Sequence, residues 1–320
     1  MVGEKFCNIV NSESLEISIL EKSHFSIGTS PYYAHQNGLA IDIYQTISIQ
    51  NYDVLSPVSG EVITIKEMRA PKPKFHGGTD KEYLTLIKDS RNESFVYKIL
   101  HVIPSMREGD HVKIGDKIGR TIRNGYFAYW SSPHIHLEIR PKDDAVRARG
   151  GNPFKLLIKK KNEKQNQISE NHKPSVSKNV PIIIQKIFPE FILASLPVHL
   201  SHNFGHLYGV KGMVGGQSCI LDGGIPMYKK GIIVFGETKE ASKSRAVYFG
   251  SIKIGEIKKI RDRFGLVDFD PVELFLDEIK IRGVSLFLTL KHPPLLKIIP
   301  FKKNLFSLEV DSTHSLSLRS

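Results

Sequence analysis

Short apolar segments alternate with turn residues throughout the first half of the chain. Within these segments apolar and polar residues alternate with a period of two, which is typical of β-strands with one face toward a core. Gly, Pro and Asn separate the segments and predict turns. The predicted strands are residues 15–20, 54–58, 61–66, 83–88, 95–101, 117–122 and 134–140. This pattern predicts a mainly β domain over residues 1–154.

The second half, residues 180–320, also has strand-like alternation, at residues 279–282 and 284–290. Gly and Pro are frequent there, so we predict a second β-rich domain, whose role the sequence does not indicate. One helix is expected to begin near Asp270. Asp270 would be its N-cap, followed by a proline at the first helical position and a glutamate that completes a capping box.

Residues 155–179 join the two predicted domains and differ from both in composition. They include three consecutive lysines and a stretch rich in Asn, Gln, Glu and Ser, which predicts a basic, polar linker. The whole chain has a formal net charge of +12 and a pI of about 9.5. This charge favours acidic partners, and the linker could contact an anionic surface peripherally, although a solvated lysine-rich surface would look the same.

The length and composition are those of a soluble protein with two domains. With 320 residues, 40% hydrophobic and 24% charged, the chain is long enough for two cores. No apolar run is long enough to predict a transmembrane segment. Residues 1–14 lack the apolar core of a signal peptide, so we expect a cytoplasmic protein in which Cys7 and Cys219 are reduced thiols.

The most informative motif is the pair His134 and His136 in a predicted strand. Because side chains alternate along a strand, both imidazoles should leave the same face. Neighbouring imidazoles can bind a metal together, or one can bind and the other transfer protons. Glu138 lies on the same face and could orient one of these histidines. The alternative is an ordinary polar strand face, on which Glu138 is solvated.

A second set of candidate residues lies upstream. Asp42 is flanked by Ile41 and Ile43, where a buried carboxylate is costly unless it is paired or binds a metal. His35 precedes it across a glycine turn, and His101 ends an apolar predicted strand. Two histidines and one carboxylate leave one position of a tetrahedral zinc ion open for water, which is the arrangement of a catalytic zinc site.

Taken in order, these motifs resemble the lysostaphin-type zinc endopeptidases, from about residue 30 to about residue 142. The shared order is a His and an Asp, then Ser56-Pro57-Val58-Ser59-Gly60, then a Tyr before a His, and finally Pro-His-x-His-x-Glu-x-Arg from Pro133. Residues 57–60 and 108–116 also resemble the hairpins of lipoyl and biotinyl domains. The resemblance implies an antiparallel β-sandwich-like peptidase core.

Two spacings differ from the commonest pattern of the family. Six residues separate His35 from Asp42, where the family most often has three, although a longer variant that ends in Ala-Ile-Asp also occurs. His24 is the alternative to His35 as the first histidine. Tyr97 lies further from His101 than is usual, either because the strand has a bulge or because Tyr97 is not the equivalent tyrosine.

The resemblance implies a residue assignment and an activity. It implies that His35, Asp42 and His136 bind one zinc ion and that His101 and His134 are catalytic. The implied function is a zinc metalloendopeptidase that hydrolyses peptide bonds with metal-activated water. Its substrates would be peptides, in the family often the peptide cross-links of cell walls.

Two other functions are compatible with parts of the sequence. A non-catalytic relative could keep the metal, or only the groove, and act as a scaffold or binding module. A nucleic-acid binder would need a stripe of aromatic and basic residues on one sheet. The sequence has no such clear stripe, so no nucleic-acid partner is expected. His199, His202 and His206 could form a second metal site or be ordinary polar residues.

Overall fold

The computed structural model describes residues 4–158, 179–236 and 244–319. Its regular secondary structure is almost entirely β-strand, which confirms the predicted mainly β fold. The chain divides into two compact units. The first comprises Met1–Ile27 and Tyr32–Leu157, and the second comprises Gly28–Pro31 and Ile158–Ser320. Most of the predicted linker, from residue 159 to 178, lies outside the described residues.

The first unit contains twelve strands and one short helix among its described residues. In chain order they are β1 Phe6–Ser12, β2 Leu15–Leu20, β3 His24–Ser26, α1 Tyr33–Gln36, β4 Ile41–Tyr44, β5 Asp53–Leu55, β6 Gly60–Arg69, β7 Lys81–Lys88, β8 Phe95–Leu100, β9 Val102–Pro104, β10 His111–Val112, β11 Lys117–Thr121 and β12 Ile135–Pro141. The seven strands predicted from alternation are all present, and one of the largest differences is at residues 54–58, where β5 ends at Leu55.

These strands form antiparallel sheets. The largest has the order β3-β4-β12-β8-β7-β6-β10. β1 pairs with β2, and β11 pairs with both β5 and β9. Strand β12 therefore lies between β4 and β8, so the two strands that carry candidate residues upstream of it are its direct neighbours.

Both faces of β12 are buried. Ile135, Leu137 and Ile139 are fully buried on one face, as alternation requires of a core strand. The other face carries polar residues that are buried as well, with His136 7% exposed and Arg140 0% exposed. Buried polar and charged groups require partners. The buried polar residues of β12 therefore need specific hydrogen-bond or ion-pair partners.

The second unit contains fifteen described strands. They are β13 Asn179–Ile187, β14 Ile192–Ser195, β15 Ser201–Phe204, β16 Leu207–Val214, β17 Gln217–Ile225, β18 Lys230–Val234, β19 Ala246–Phe249, β20 Ile252–Arg261, β21 Phe264–Phe269, β22 Glu273–Leu276, β23 Ile279–Ile281, β24 Gly283–Leu286, β25 Leu288–Leu290, β26 Leu296–Ile299 and β27 Thr313–Arg319. Six of them, β16-β17-β18-β21-β20-β19, pair in a closed antiparallel circuit. Its core is aliphatic and aromatic, which confirms a second β-rich region.

The prediction of a helix that begins near Asp270 is wrong. After Asp270 the chain passes directly into β22, which pairs with β23 and β27. Leu274 and Leu276 are buried, while Glu273 is exposed. This alternation has the period of a strand, and pairing on both sides overrides the local capping signal.

Helices are few and short in both units. Besides α1, the described residues include two single-turn 3₁₀ helices, at Lys142–Asp144 and Val198–Leu200. Within the described parts of the chain, no helix has the length and apolar character needed to cross a membrane.

Candidate metal centre

Strand register brings Asp42 and His136 together. Asp42 on β4 lies directly opposite His136 on β12, and Leu100 at the end of β8 lies opposite His136 on the other side. His101, which follows Leu100, is therefore next to the same position. Three segments that are distant in sequence converge here because antiparallel pairing places their residues side by side.

His35 reaches this position from the helical turn α1. The turn ends at Asn37, and Gly38 follows with φ 65, in the left-handed region that glycine adopts at little cost. Gly38 N–H donates to His35 O at 3.1 Å, and Leu39 N–H donates to Ala34 O at 2.8 Å. The six residues between His35 and Asp42 are thus used by a helical turn and its glycine cap before β4 begins.

The atoms of His35, Asp42 and His136 form a nearly equilateral triangle. His35 Nε2 lies 3.1 Å from Asp42 Oδ1 and 3.1 Å from His136 Nδ1, and His136 Nδ1 lies 3.0 Å from Asp42 Oδ1. All three side chains are buried. In a tetrahedral zinc site with bonds of about 2.0–2.2 Å, ligand atoms lie roughly 3.3–3.6 Å apart. Shifts of a few tenths of an ångström would bring this triangle to that geometry.

The outer ring nitrogens of both histidines have acceptors. His35 Nδ1 lies 2.8 Å from Ile27 O, and His136 Nε2 lies 3.1 Å from Glu138 Oε1. A nitrogen that faces an acceptor carries the proton, so the inner nitrogens present lone pairs. Two lone pairs and a carboxylate oxygen that converge at this distance require a cation between them. Proton and metal ion both meet that requirement, and the donor set of two imidazoles and a carboxylate fits zinc.

The charges of this triangle are strongly coupled. Burial raises the pKa of Asp42, but the imidazoles of His134, His35 and His136 outweigh it and hold this pKa well below its usual range. Burial lowers the pKa of His136, but hydrogen bonds with Asp42 and Glu138 raise it to about 9. Hydrogen bonds and charge thus favour a proton within this triangle in the metal-free protein, and a metal ion must displace it.

His134 lies at the edge of the triangle, immediately before β12. Its Nε2 is 3.4 Å from Asp42 Oδ2, and its Nδ1 is 2.8 Å from Ser132 O. Both histidines of the pair therefore contact the Asp42 carboxylate, as their shared strand face predicts. Burial lowers the pKa of His134 to about 4. Near pH 7 the ring is neutral, with its proton on Nδ1 and its lone pair on Nε2.

His101 completes a group of four imidazoles. Its ring centroid lies 5.3 Å from that of His134 and 5.6 Å from that of His136. His101 has a φ of 66°, a left-handed conformation that is uncommon outside glycine. This conformation separates strand β8 from strand β9. Its Nδ1 contacts Glu82 Oε2 at 2.5 Å, and its backbone N–H donates to Glu82 Oε1 at 2.8 Å.

Glu138 extends the polar face of β12 away from the triangle. Lys98 Nζ lies 3.2 Å from Glu138 Oε1, and Arg140 Nη1 donates to Glu138 Oε2 at 3.0 Å. Burial raises the pKa of Glu138, but its bond to His136 and the charges of Lys98 and Arg140 lower it to about 2. Glu138 is 2% exposed, so it is a buried anion behind a metal-ligand candidate and not a solvated strand residue.

The structure brings all five predicted site residues together, and their chemical roles remain predictions. Among the described residues, His35, Asp42 and His136 are the one group of at least three histidine, cysteine or acidic side chains arranged to hold a metal ion. His24 is in β3, opposite Tyr44, and is not a member of that group.

Tyr97 does not belong to the site. Its hydroxyl donates to Glu16 O at 2.9 Å and accepts from Glu16 N–H at 2.9 Å. Tyr97 is opposite Ile139 on β12 and is fully buried among core residues. It therefore ties β8 to β2, and its wider spacing from His101 has no role at the site.

Several important residues were not identified from the sequence. Glu82, Lys98 and Asn124 are buried polar residues that hold the candidate groups in place. Glu82 could have been identified from alternation, since its side chain lies on the same strand face as those of Leu84 and Leu86, which are buried. An acid in register with buried leucines requires a partner, as Asp42 does between its isoleucines.

Aromatic side chains border the histidines. The Phe127 ring is 4.8 Å from that of His101 and 4.9 Å from that of His134, and Phe127 is buried. Tyr126 and Tyr32 are 40% and 46% exposed, and their rings meet edge to face at 5.8 Å. Phe127 therefore packs against the site, and Tyr126 forms part of its exposed rim.

A chain of serine, histidine and aspartate occurs in the second unit, but its polarity is wrong for a nucleophile. Ser312 Oγ lies 2.7 Å from His314 Nε2, and His314 Nδ1 contacts Asp277 Oδ2. Ser312 Oγ is also 2.5 Å from Glu309 O, which can only accept. The hydroxyl proton therefore points to this carbonyl, and His314 donates to the serine. A nucleophilic serine needs the reverse.

Comparison with known proteins adds little to this geometry. The model of a family described as "Domain of unknown function (DUF8155) N-terminal domain" matches residues 14–156, less than half of the chain. No curated protein matches the chain. The NMR solution structure of lysostaphin is similar to it, with 15% identity and a TM-score of 0.23, over 76% of this chain and 92% of that one. A likeness at this TM-score carries no argument about function.

Proposed function

We propose that the first unit is a zinc-dependent metalloendopeptidase, with His35, Asp42 and His136 as the metal ligands. The observation that carries this proposal is the triangle of two imidazole lone pairs and a carboxylate oxygen, with sides of 3.0–3.1 Å, inside a buried polar cluster. The order of the motifs in the sequence supports the same assignment. Three protein ligands leave one coordination position for water or substrate.

When bound, zinc supplies a Lewis acid that polarises a carbonyl group and activates water. The protein's own side chains orient the donor atoms and transfer the protons. His35 and His136 are held by acceptors at their outer nitrogens, so their inner nitrogens already point at the metal position, and only the proton held there has to leave. Asp42 supplies the one negative charge of the donor set.

His134 is suited to accept a proton from the attacking water. It is neutral near pH 7 because burial lowers its pKa to about 4, and its Nε2 lone pair faces the Asp42 side of the cluster. The Ser132 carbonyl fixes the ring by accepting from Nδ1. A positioned general base of this kind contributes roughly 10²–10⁴-fold to a rate.

His101 is suited to carry a positive charge and to return a proton to the departing amine. Its Nδ1 is paired with the ionised Glu82, whose carboxylate would stabilise an imidazolium. Its ring centroid lies 5.3 Å from that of His134 and 5.6 Å from that of His136. Two histidines with different partners would thus divide the two proton transfers.

The proposed substrate is a peptide. The sequence resemblance implies cell-wall cross-links, often near glycine, and the exposed Tyr32 and Tyr126 offer a rim on which an extended peptide could pack. Anionic wall polymers are further proposed partners, because the chain has a net charge of +12.

The test is cleavage of glycine-containing peptides and of purified wall material by zinc-loaded protein, followed by mass spectrometry. We expect cleavage that a chelator abolishes and zinc restores, and that falls roughly 10²–10⁴-fold in His134→Ala with zinc retained. Bound zinc without cleavage of any peptide would contradict the peptidase and favour a non-catalytic metal-binding module. Cleavage that survives in His134→Ala would contradict its role as base.

A further inference from the structure

The Glu82 carboxylate makes four hydrogen-bond contacts, two at each oxygen. Oε1 accepts from the backbone N–H groups of His101 and Tyr83, at 2.8 and 2.9 Å. Oε2 contacts His101 Nδ1 at 2.5 Å and accepts from Asn124 Nδ2 at 2.8 Å. A carboxylate offers about four acceptor positions, so this one is saturated.

The identity of each donor is fixed by the surrounding contacts. The two backbone groups can only donate. The Asn124 amide cannot be reversed without loss, because its Nδ2 also donates to Lys81 O at 3.1 Å and its Oδ1 accepts from Tyr126 N–H at 3.1 Å. Burial raises the pKa of Glu82, but the charge and hydrogen bonds of His101 and the Asn124 amide lower it to about 2. Glu82 is therefore an acceptor only, and His101 Nδ1 must carry a proton.

We propose that Glu82, itself held by Asn124, is a positioning residue that fixes His101 in the Nδ1–H form, with the Nε2 lone pair free for proton transfer. The effect of Glu82 on catalysis rests on the proposed function, whereas the Nδ1–H tautomer of His101 does not. Glu82 also holds the left-handed backbone of His101, which turns this side chain out of the alternation of β8 and toward the other imidazoles.

The Glu82→Gln substitution separates this role from simple packing, because it keeps the size of the side chain. Glutamine has one amide oxygen and one NH₂ group, and both former carboxylate positions face donors. The NH₂ cannot face the two backbone N–H groups, which have no alternative proton position. It therefore takes the place of Oε2, where the bond from Asn124 Nδ2 is lost and the NH₂ lies next to His101 Nδ1. His101 Nδ1 can accept from it only if its proton moves to Nε2. In Glu82→Gln, His101 should switch to the Nε2–H form.

The experiment is nitrogen-15 NMR of histidine-labelled full-length protein, with and without zinc, in which His101→Ala assigns the His101 signals. We expect Nδ1–H in the wild type, Nε2–H in Glu82→Gln, and no change in Glu67→Gln. Glu67 is a matched control because its carboxylate is exposed on β6 and contacts Tyr83 and Lys81. An Nε2–H tautomer in the wild type would overturn the proposal without any variant, so the proposal stays testable if Glu82→Gln does not fold.

The kinetic readout separates positioning from stability. In zinc-loaded protein we expect kcat to fall roughly 10²–10⁴-fold in Glu82→Gln, with KM within about twofold and zinc content unchanged. Loss of activity in proportion to unfolded protein or lost zinc, with His101 still in the Nδ1–H form, would overturn the proposal. A tautomer switch in a protein that binds no zinc and cleaves no peptide would support the positioning role and refute the peptidase.

Discussion

Two buried glutamate–histidine pairs of the first unit differ in the groups that contact the far side of the carboxylate. Glu138 contacts His136, and its charge is balanced by Lys98 and Arg140. Glu82 contacts His101, and behind it lie the Asn124 amide and backbone N–H groups, which are neutral. The same residue pair is therefore built into two different electrostatic environments a few ångströms apart.

This difference matches the two chemical roles that we propose. A histidine that binds a metal must give up its second proton, and the cations beside Glu138 offset part of the negative charge with which this carboxylate favours the imidazolium. A histidine that transfers protons benefits from an unbalanced carboxylate, which stabilises the imidazolium.

The largest expected effect comes from removing one imidazole from each pair. His136→Ala deletes one of the three converging donor atoms, so we expect it to lose zinc during dialysis, whereas His101→Ala should keep about one zinc per chain. Elemental analysis of both variants side by side is the measurement. Equal zinc in the two variants would remove the distinction between a ligand pair and a catalytic pair.

Exchange of each carboxylate for its amide sharpens the comparison. Glu138→Gln should weaken zinc binding about 10–100-fold, because the outer nitrogen of His136 loses its charged partner. Glu82→Gln should leave zinc affinity unchanged. Competition with a chromogenic chelator measures both values, and a similar loss in both variants would mean that the two carboxylates are not separate in function.

Acid should destabilise the first unit through both carboxylates. The pKa values of Glu82 and Glu138 are each lowered to about 2, from an ordinary value of 4.5. A depressed pKa stabilises the fold above the unfolded value, and this stability is lost as the pH falls from about 5 toward 2, on the order of 3 kcal/mol for each group. Urea unfolding at several pH values should show a shallower acid loss in Glu82→Gln and Glu138→Gln than in Glu93→Gln, whose side chain is 85% exposed.

The smallest expected effect concerns Tyr97, which lies outside both pairs. Tyr97→Phe removes the hydroxyl that bridges to both backbone groups of Glu16. We expect a loss of roughly 1–3 kcal/mol in the free energy of unfolding, with zinc content and kcat unchanged. A large fall in kcat in a folded, zinc-loaded variant would show that Tyr97 contributes to the site.

The clustering of His134, His136 and Asp42 could be predicted because each has a local signal in the sequence, while their roles as ligands or catalysts remain predictions. His134 and His136 share a strand face through simple alternation, and Asp42 stands out between two isoleucines. The mainly β fold followed from the same period. In these cases the information lies within a few consecutive residues.

The parts that the sequence did not predict depend on contacts between distant segments. The partnership of Glu82 with His101 arises from pairing of β7 with β8 and from the left-handed turn at His101. Asn124 joins it from a loop, and no periodicity indicates that contact. Asp270 shows the opposite failure, since a correct local capping signal was overridden by strand pairing.

The zinc content of the wild-type protein tests the central claim most directly. The chain would be purified without a histidine tag or chelator, supplied with one equivalent of zinc, dialysed and examined by elemental analysis. Three donor atoms held 3.0–3.1 Å apart in a buried cluster predict about one zinc per chain. Protein that holds no zinc after this treatment would contradict the metal centre and, with it, the proposed peptidase.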